Sequence, residues 1–189
     1  MKKVAVGLVV AVSIVTASAC DGEGDGSPAS PAAEPITNSE TPWIPCAPPS
    51  SEPQGLASLL SVDDNRSEFR VGEPIPFTLL LVNCSNKQIS RYYPDQQRYE
   101  FTVSQTQGDL IGGEVWRWSA DRVFAQVVGT QTFEIRTPVR YTETWDQRDD
   151  SGHQVPEGHY QVLAIDVGCE DRQLRRCHFG PGVHFDIVP

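Results

Sequence analysis

An all-β domain built as an antiparallel β-sandwich, with a small β-barrel as the alternative, is predicted by three observations. From Leu56 onward no stretch sustains the 3.6-residue apolar period of a helix. Short segments of alternating or continuous apolar residues recur instead, roughly every 8 to 12 residues, as in sandwiches and barrels. Gly, Pro and Asn separate them, and the 15 Gly and 15 Pro of the chain favour turns over long helices. Hydrophobic residues at 39% and aromatics at 8% are enough for a packed core.

Before that domain come two segments of other kinds. Residues 1–19 have the parts of a signal peptide: Lys2 and Lys3, an apolar run over 4–15, then small residues. The run falls short of the about 20 apolar residues that span a bilayer. Ala17-Ser18-Ala19 fits an ordinary cleavage site, and with Cys20 it resembles a bacterial lipobox, whose Cys receives a diacylglycerol thioether. Ala17 departs from the Leu usual at that place. Residues 20–54 hold eight of the prolines, with Gly, Ser and acids but no base, and read as a solvated tether reaching on the order of 30 Å.

The folded domain is expected over 55–189. Residues 56–62 are the first strand. Phe77, Leu79 and Leu81 share one face of the next, with Leu80 and Val82 opposite, as in a central strand buried on both sides. Asn83-Cys84-Ser85-Asn86 ends it in a turn. Tyr99, Phe101 and Val103 alternate with Glu100, Thr102 and Ser104, giving a half-buried strand, and Gly108, Gly112 and Gly113 bracket the following reversal. Further strands are expected over 115–118, 123–128, 133–135, 139–145, 159–167 and 183–187, with 146–152 as a solvated hairpin tip.

Five cysteines leave one without an internal partner. If Cys20 carries a lipid, the other four pair evenly. The favoured pairing is Cys169 with Cys177, whose seven intervening residues can turn a hairpin, and Cys46 with Cys84, which would pin the domain entrance to a strand end. A soluble secreted protein with Cys20 as a free or intermolecular thiol is the other reading.

Several rare-residue motifs occur in a fixed order. Gly113-Glu-Val-Trp-Arg-Trp-Ser119, Phe124-Ala-Gln126, Tyr141-Thr-Glu-Thr-Trp145-Asp146 and Val155-Pro-Glu-Gly158-His-Tyr160 resemble the intracellular proteinase inhibitor (BsuPI) family. The 77–83 strand ending in Asn and Gln97-Arg-Tyr99-Glu-Phe101 are similar to earlier family segments, with Glu100 in place of Asp. The resemblance runs from about Leu59 to Val167. It implies a single immunoglobulin-like sandwich and, by the family name, inhibition of an intracellular subtilisin-like serine protease. Trp116, Trp118, Tyr141 and Trp145 are expected to build core rather than a ligand platform.

Function is bounded from several sides. The 25 acids against 15 bases, or 13 once Lys2 and Lys3 are removed, argue against a nucleic-acid partner. No Gly-x-Ser-x-Gly elbow, His-Glu-x-x-His, P-loop or Gly-x-Gly-x-x-Gly is present, and no catalytic residue, cofactor or metal is expected. An export signal does not suit an intracellular target. Two readings follow: a lipid-anchored, non-catalytic protein-binding module at the cell envelope, or an inhibitor of an extracellular or envelope serine protease. For the inhibitor, Leu174, Arg175 and Arg176 in the loop between Cys169 and Cys177 are the sequence candidates for an inhibitory loop.

Overall fold

A computed structural model of the chain describes residues 34–35, 46, 55–108, 110–170 and 177–189. The leader, Cys20, most of the tether and the 171–176 segment with Leu174, Arg175 and Arg176 lie outside the described residues, as do the side chains at 34, 35, 177–179 and 181.

Two sheets carry the fold. The first contains β1 (Glu34–Pro35), β2 (Leu56–Val62), β4 (Ile75–Asn83) and β9 (Pro138–Trp145), in the order β1-β9-β4-β2. The second runs β3 (Glu68–Arg70), β11 (Cys177–Val188), β10 (Gly158–Cys169), β6 (Tyr99–Gln107), β7 (Leu110–Arg117). The antiparallel pair of β5 (Ile89–Tyr93) and β8 (Gly129–Phe133), which are distant in sequence, extends this sheet where Tyr92 meets Cys169 at the end of β10. Strand β3 pairs in parallel with β11 while β2 pairs with β4, so the start of the domain is shared between both sheets. Neither sheet closes into a barrel.

Sequence pattern explains the packing. In β4 Phe77, Leu79 and Leu81 are fully buried, and Leu80 and Val82 on the opposite face are buried too, as expected for a central strand. Phe77 contacts Phe101, Trp116, Trp145 and Phe185 with ring centroids 5.9 to 6.3 Å apart, joining the two sheets. At the start of β10 the Tyr160 hydroxyl donates to the Pro156 carbonyl at 2.7 Å. This is the tyrosine corner of an immunoglobulin-like sandwich.

Several expectations are corrected. Residues 123–128 form no strand; they run as an irregular exposed segment into β8. Strand β6 is not half-buried, because Glu100 and Thr102 on its polar face are buried as well. Two strands, β3 and β5, had no expected counterpart, and Glu34–Pro35 of the expected tether pair with β9. The 146–152 segment is more than a solvated tip. Asp150 N donates to Val115 O at 3.1 Å, and Arg117 N donates to its carboxylate at 2.9 Å, covering part of the outer edge of β7. Gln147, in the same segment, is fully buried at φ 59°.

Candidate functional site

The segment 119–128, which links the end of β7 to β8, is an exposed loop fastened to the core at several points. Past β7 the chain stays on the sheet for one more residue, as Trp118 N donates to Phe101 O at 3.0 Å. Two tight turns follow, closed by Ala120 N to Arg117 O at 3.0 Å and Arg122 N to Ser119 O at 3.1 Å. The buried Glu100 carboxylate holds their base. It accepts from Ser119 N and Phe101 N, each at 3.2 Å, from Gln97 Nε2 at 3.1 Å, and from the Ser119 hydroxyl. A buried carboxylate is tolerable only with such a set of donors.

Aromatic contacts fix the next stretch. Phe124, Trp118, Tyr99 and Tyr141 form a ladder with successive centroids 5.7, 4.4 and 4.6 Å apart, so the loop is stacked on rings from both sheets. Burial raises the pKa of the Tyr99 hydroxyl, which donates to Glu143, and pushes that of Tyr141 up to about 12, so both rings stay neutral. The Arg122 guanidinium lies 4.4 Å from the Trp118 ring centroid, and its Nε donates to Trp118 O at 3.0 Å. Ala125 O then accepts from Gln96 N at 3.1 Å and from Val127 N at 2.7 Å. Between these fastenings Val123, Val127 and Val128 remain 72%, 58% and 56% exposed. Such an arrangement presents apolar side chains on backbone that has little freedom left to lose on binding.

A second buried polar group lies at the same end of the sandwich. Asp166 accepts from Arg91 Nε at 3.1 Å, Tyr93 hydroxyl at 2.9 Å and Gly168 N at 3.0 Å. Burial raises the Asp166 pKa, against the opposing pull of Arg91. The cluster ties the β5–β8 pair to the end of β10, and its charges face one another. Arg91 also borders a cleft of about 550 Å³ lined by Lys87, Gln88 and Glu170, among others.

The sequence candidates separate. Cys46 and Cys84 are disulfide-bonded with Cα atoms 5.3 Å apart. Cys169 is also disulfide-bonded, and the β10–β11 register sets Cys177 opposite it, although the Cys177 side chain is outside the described residues. Among the described residues no group of three His, Cys, Asp or Glu is placed to hold a metal ion. Sequence reasoning missed the 119–128 loop because its valines suggest a strand. The available signal was the adjacent pair Val127-Val128, which breaks period-two alternation.

No curated protein matches the chain. Among solved structures it is similar to Spo0M, a sporulation control protein from Bacillus subtilis, at 10% identity and a TM-score of 0.42, over 71% of this chain and 49% of that one. It is also similar to the alkylpurine DNA glycosylase AlkC of Pseudomonas fluorescens at 11% identity and a TM-score of 0.41, over 71% and 30%. A β-glucosidase from Erythrobacter marinus is matched at 9% identity and a TM-score of 0.40, over 71% and 15%. The chain thus spans less than half the length of each of these proteins. The family comparison is of another order: the model described as intracellular proteinase inhibitor, BsuPI, matches residues 62–170, more than half of the 189 residues. That span contains the Trp118 ladder, the Glu100 clasp and the tyrosine corner, and by it the chain belongs to the intracellular proteinase inhibitor (BsuPI) family.

Proposed function

We propose that this chain is a non-catalytic inhibitor module, exported and held to the membrane through a lipid on Cys20, which binds a subtilisin-like serine proteinase outside the cytoplasm. The observation that carries the reading is the 119–128 loop, fastened by Glu100, Trp118 and Gln96 while three valines stay exposed. Inhibitors that occupy a proteinase cleft need such a segment, because a loop already ordered loses little entropy on docking. Support for the location comes from the 1–19 leader, the Cys that follows Ala17-Ser18-Ala19, and the proline-rich 20–54 segment. The Cys46–Cys84 disulfide suits an oxidising compartment. An exported family member meets different proteinases from an intracellular one, so its target is an extracellular or envelope enzyme.

The test is a titration of the full, disulfide-intact chain against a panel of subtilisin-like and trypsin-like proteinases, read on a small peptide substrate. Stoichiometric, saturable loss of activity with the chain left intact is the expected result. Digestion of the chain, or full activity across the panel, removes the inhibitor reading and leaves a protein-binding module. Fatty-acid labelling lost on Cys20→Ser, and retained in the parent, is the result expected for the anchor.

A further inference from the structure

We propose that the corner of the domain carrying Lys87, Arg136 and Arg140 docks onto an anionic phospholipid bilayer, so that the anchored sandwich lies on the membrane in one orientation. The inference rests on the lipid anchor of the proposed function and adds the surface that faces the lipid. Asn83, fully buried at the end of β4, assembles this corner. Its Nδ2 donates to Lys87 O and Phe133 O, both at 2.8 Å, and its carbonyl accepts from Arg136 N at 2.9 Å. The turns at 84–88 and 134–137 are thereby fixed side by side. Arg140 follows on β9, and because Tyr141 is buried in the core, strand alternation turns Arg140 to the outer face of the first sheet. Lys87, Arg136 and Arg140 are all exposed, with Ile135, 45% exposed, next to Arg136.

Charge and the path of the chain both select lipid as the occupant. Among the described residues none of the three cations has an ion-pair partner, while the neighbouring acid Glu134 is engaged by Gln88 Nε2 at 2.7 and 2.8 Å. The opposite end of the first sheet, about 20 Å away along its strands, is acidic. Its segments 63–68 and 146–157 hold three and four acids against Arg66 and Arg148. An anionic surface therefore attracts the basic corner and repels the other end. The preceding chain is also tied down at this corner, since Glu34 and Pro35 pair with Arg140 and Val139 and Cys46 is bonded to Cys84. Residues 21–33 alone lie between Cys20 and that first pairing, and a coil of such length reaches about 20 Å, which keeps the corner at the surface. Strand β8 separates the corner at Phe133 from the 119–128 loop before Gly129, so the loop stays clear of the lipid.

The full chain with its lipid is reconstituted in vesicles of phosphatidylglycerol or of phosphatidylcholine. Hydroxyl-radical labelling is then read by mass spectrometry at Ile135, with the exposed Val71 at the far end as reference. Each basic side chain near an anionic surface favours contact by about 5-fold. Labelling of Ile135 is expected to fall at least about 3-fold in phosphatidylglycerol relative to phosphatidylcholine, and to recover in about 1 M salt, where charges are screened within about 3 Å. Val71 should be labelled alike in both. Lys87→Gln, Arg136→Gln and Arg140→Gln combined should abolish the difference while the unfolding midpoint stays, because all three positions are exposed. Equal labelling of Ile135 in the two lipids, or protection that persists in high salt, overturns this inference and leaves the anchor standing. A chain that carries no lipid on Cys20 and sediments with neither vesicle overturns both.

Discussion

The Tyr160 hydroxyl donates to the Pro156 carbonyl oxygen at 2.7 Å, four residues upstream, closing the corner where the chain passes from the 146–157 connection into β10. The same ring is stacked on Phe185 with centroids 6.0 Å apart, so one side chain fixes both the turn and the packing of β10 on β11. Tyr160→Phe keeps the ring and deletes the hydrogen bond. Its expected cost is about 1 kcal/mol in urea unfolding, with an unchanged far-ultraviolet spectrum.

Gln147 is a larger dependency. Its buried amide donates to Arg70 O and Glu73 O, both at 2.7 Å, and accepts from Gly72 N at 2.8 Å, holding the turn before β4 against the segment after β9. Gln147→Leu is nearly the same size but deletes the side-chain bonds to three main-chain groups, of which Arg70 O keeps Glu73 N as a donor. A loss of about 3 kcal/mol is expected, with faster amide hydrogen exchange at Gly72 as the local signature.

Much of this architecture was legible from residue patterns, and the failures share a cause. Strand β2 coincides with its expected bounds, and β4 shows the two-sided burial that its continuous apolar run implies. The motifs quoted for the family resemblance fall within the span that the family match covers. What was not legible are polar side chains that bond the backbone at long range. Gln147 reaches Gly72 across 75 positions, and Glu100 reaches Ser119 across 19. Neither leaves a periodic trace, because one amide or carboxylate meets its donors only after the sheets pack. The 123–128 segment was misread for a related reason: its valines and Phe124 have strand composition, but the Phe124 ring stacks on Trp118 and the segment forms no strand.

Acid sensitivity should include a contribution from one surface pair. The Arg66 guanidinium, donating to both Glu73 oxygens, and the Arg70 N–H together hold the Glu73 carboxyl down at about 2, against an ordinary value of 4.5. A carboxyl lowered in the folded state stabilises above its unfolded value, and that contribution disappears as pH falls toward the folded one. The stability gap between the parent and Glu73→Gln should therefore be open at about pH 6 and close between pH 4.5 and about 2. A gap independent of pH in urea titrations would contradict the assignment.

The Cys46–Cys84 disulfide joins residues 38 apart in sequence and closes a loop that contains all of β2, β3 and β4. Cross-linking a loop of that length removes freedom mainly from the unfolded chain. The paired change Cys46→Ser with Cys84→Ser should lower stability by about 2 to 4 kcal/mol while leaving the sandwich assembled, as read by urea unfolding and near-ultraviolet dichroism. Proteinase inhibition by the folded variant should persist, since the loop at 119–128 is fastened by Glu100 and Trp118 and not by this bond.

Fastening, in contrast, is what separates an inhibitor from a substrate, and Arg122 tests it most cleanly. Its half-buried guanidinium lies over the Trp118 ring, and its Nε donates to the Trp118 carbonyl. Arg122→Ala removes both contacts and leaves the buried ladder from Phe124 to Tyr141 in place. Global stability should fall by only about 1 to 2 kcal/mol, since a half-buried cation–π contact and one hydrogen bond each contribute about 1 kcal/mol. The loop, however, loses the anchor next to Val123 and samples more conformations, which raises the entropy lost on docking. Weaker inhibition with an almost unchanged unfolding midpoint is the expected pair of results, together with slow cleavage inside 119–128 detected by intact mass. Arg122→Lys keeps the charge but lacks the planar fork that stacks and bonds at once, so it should recover little of the loss.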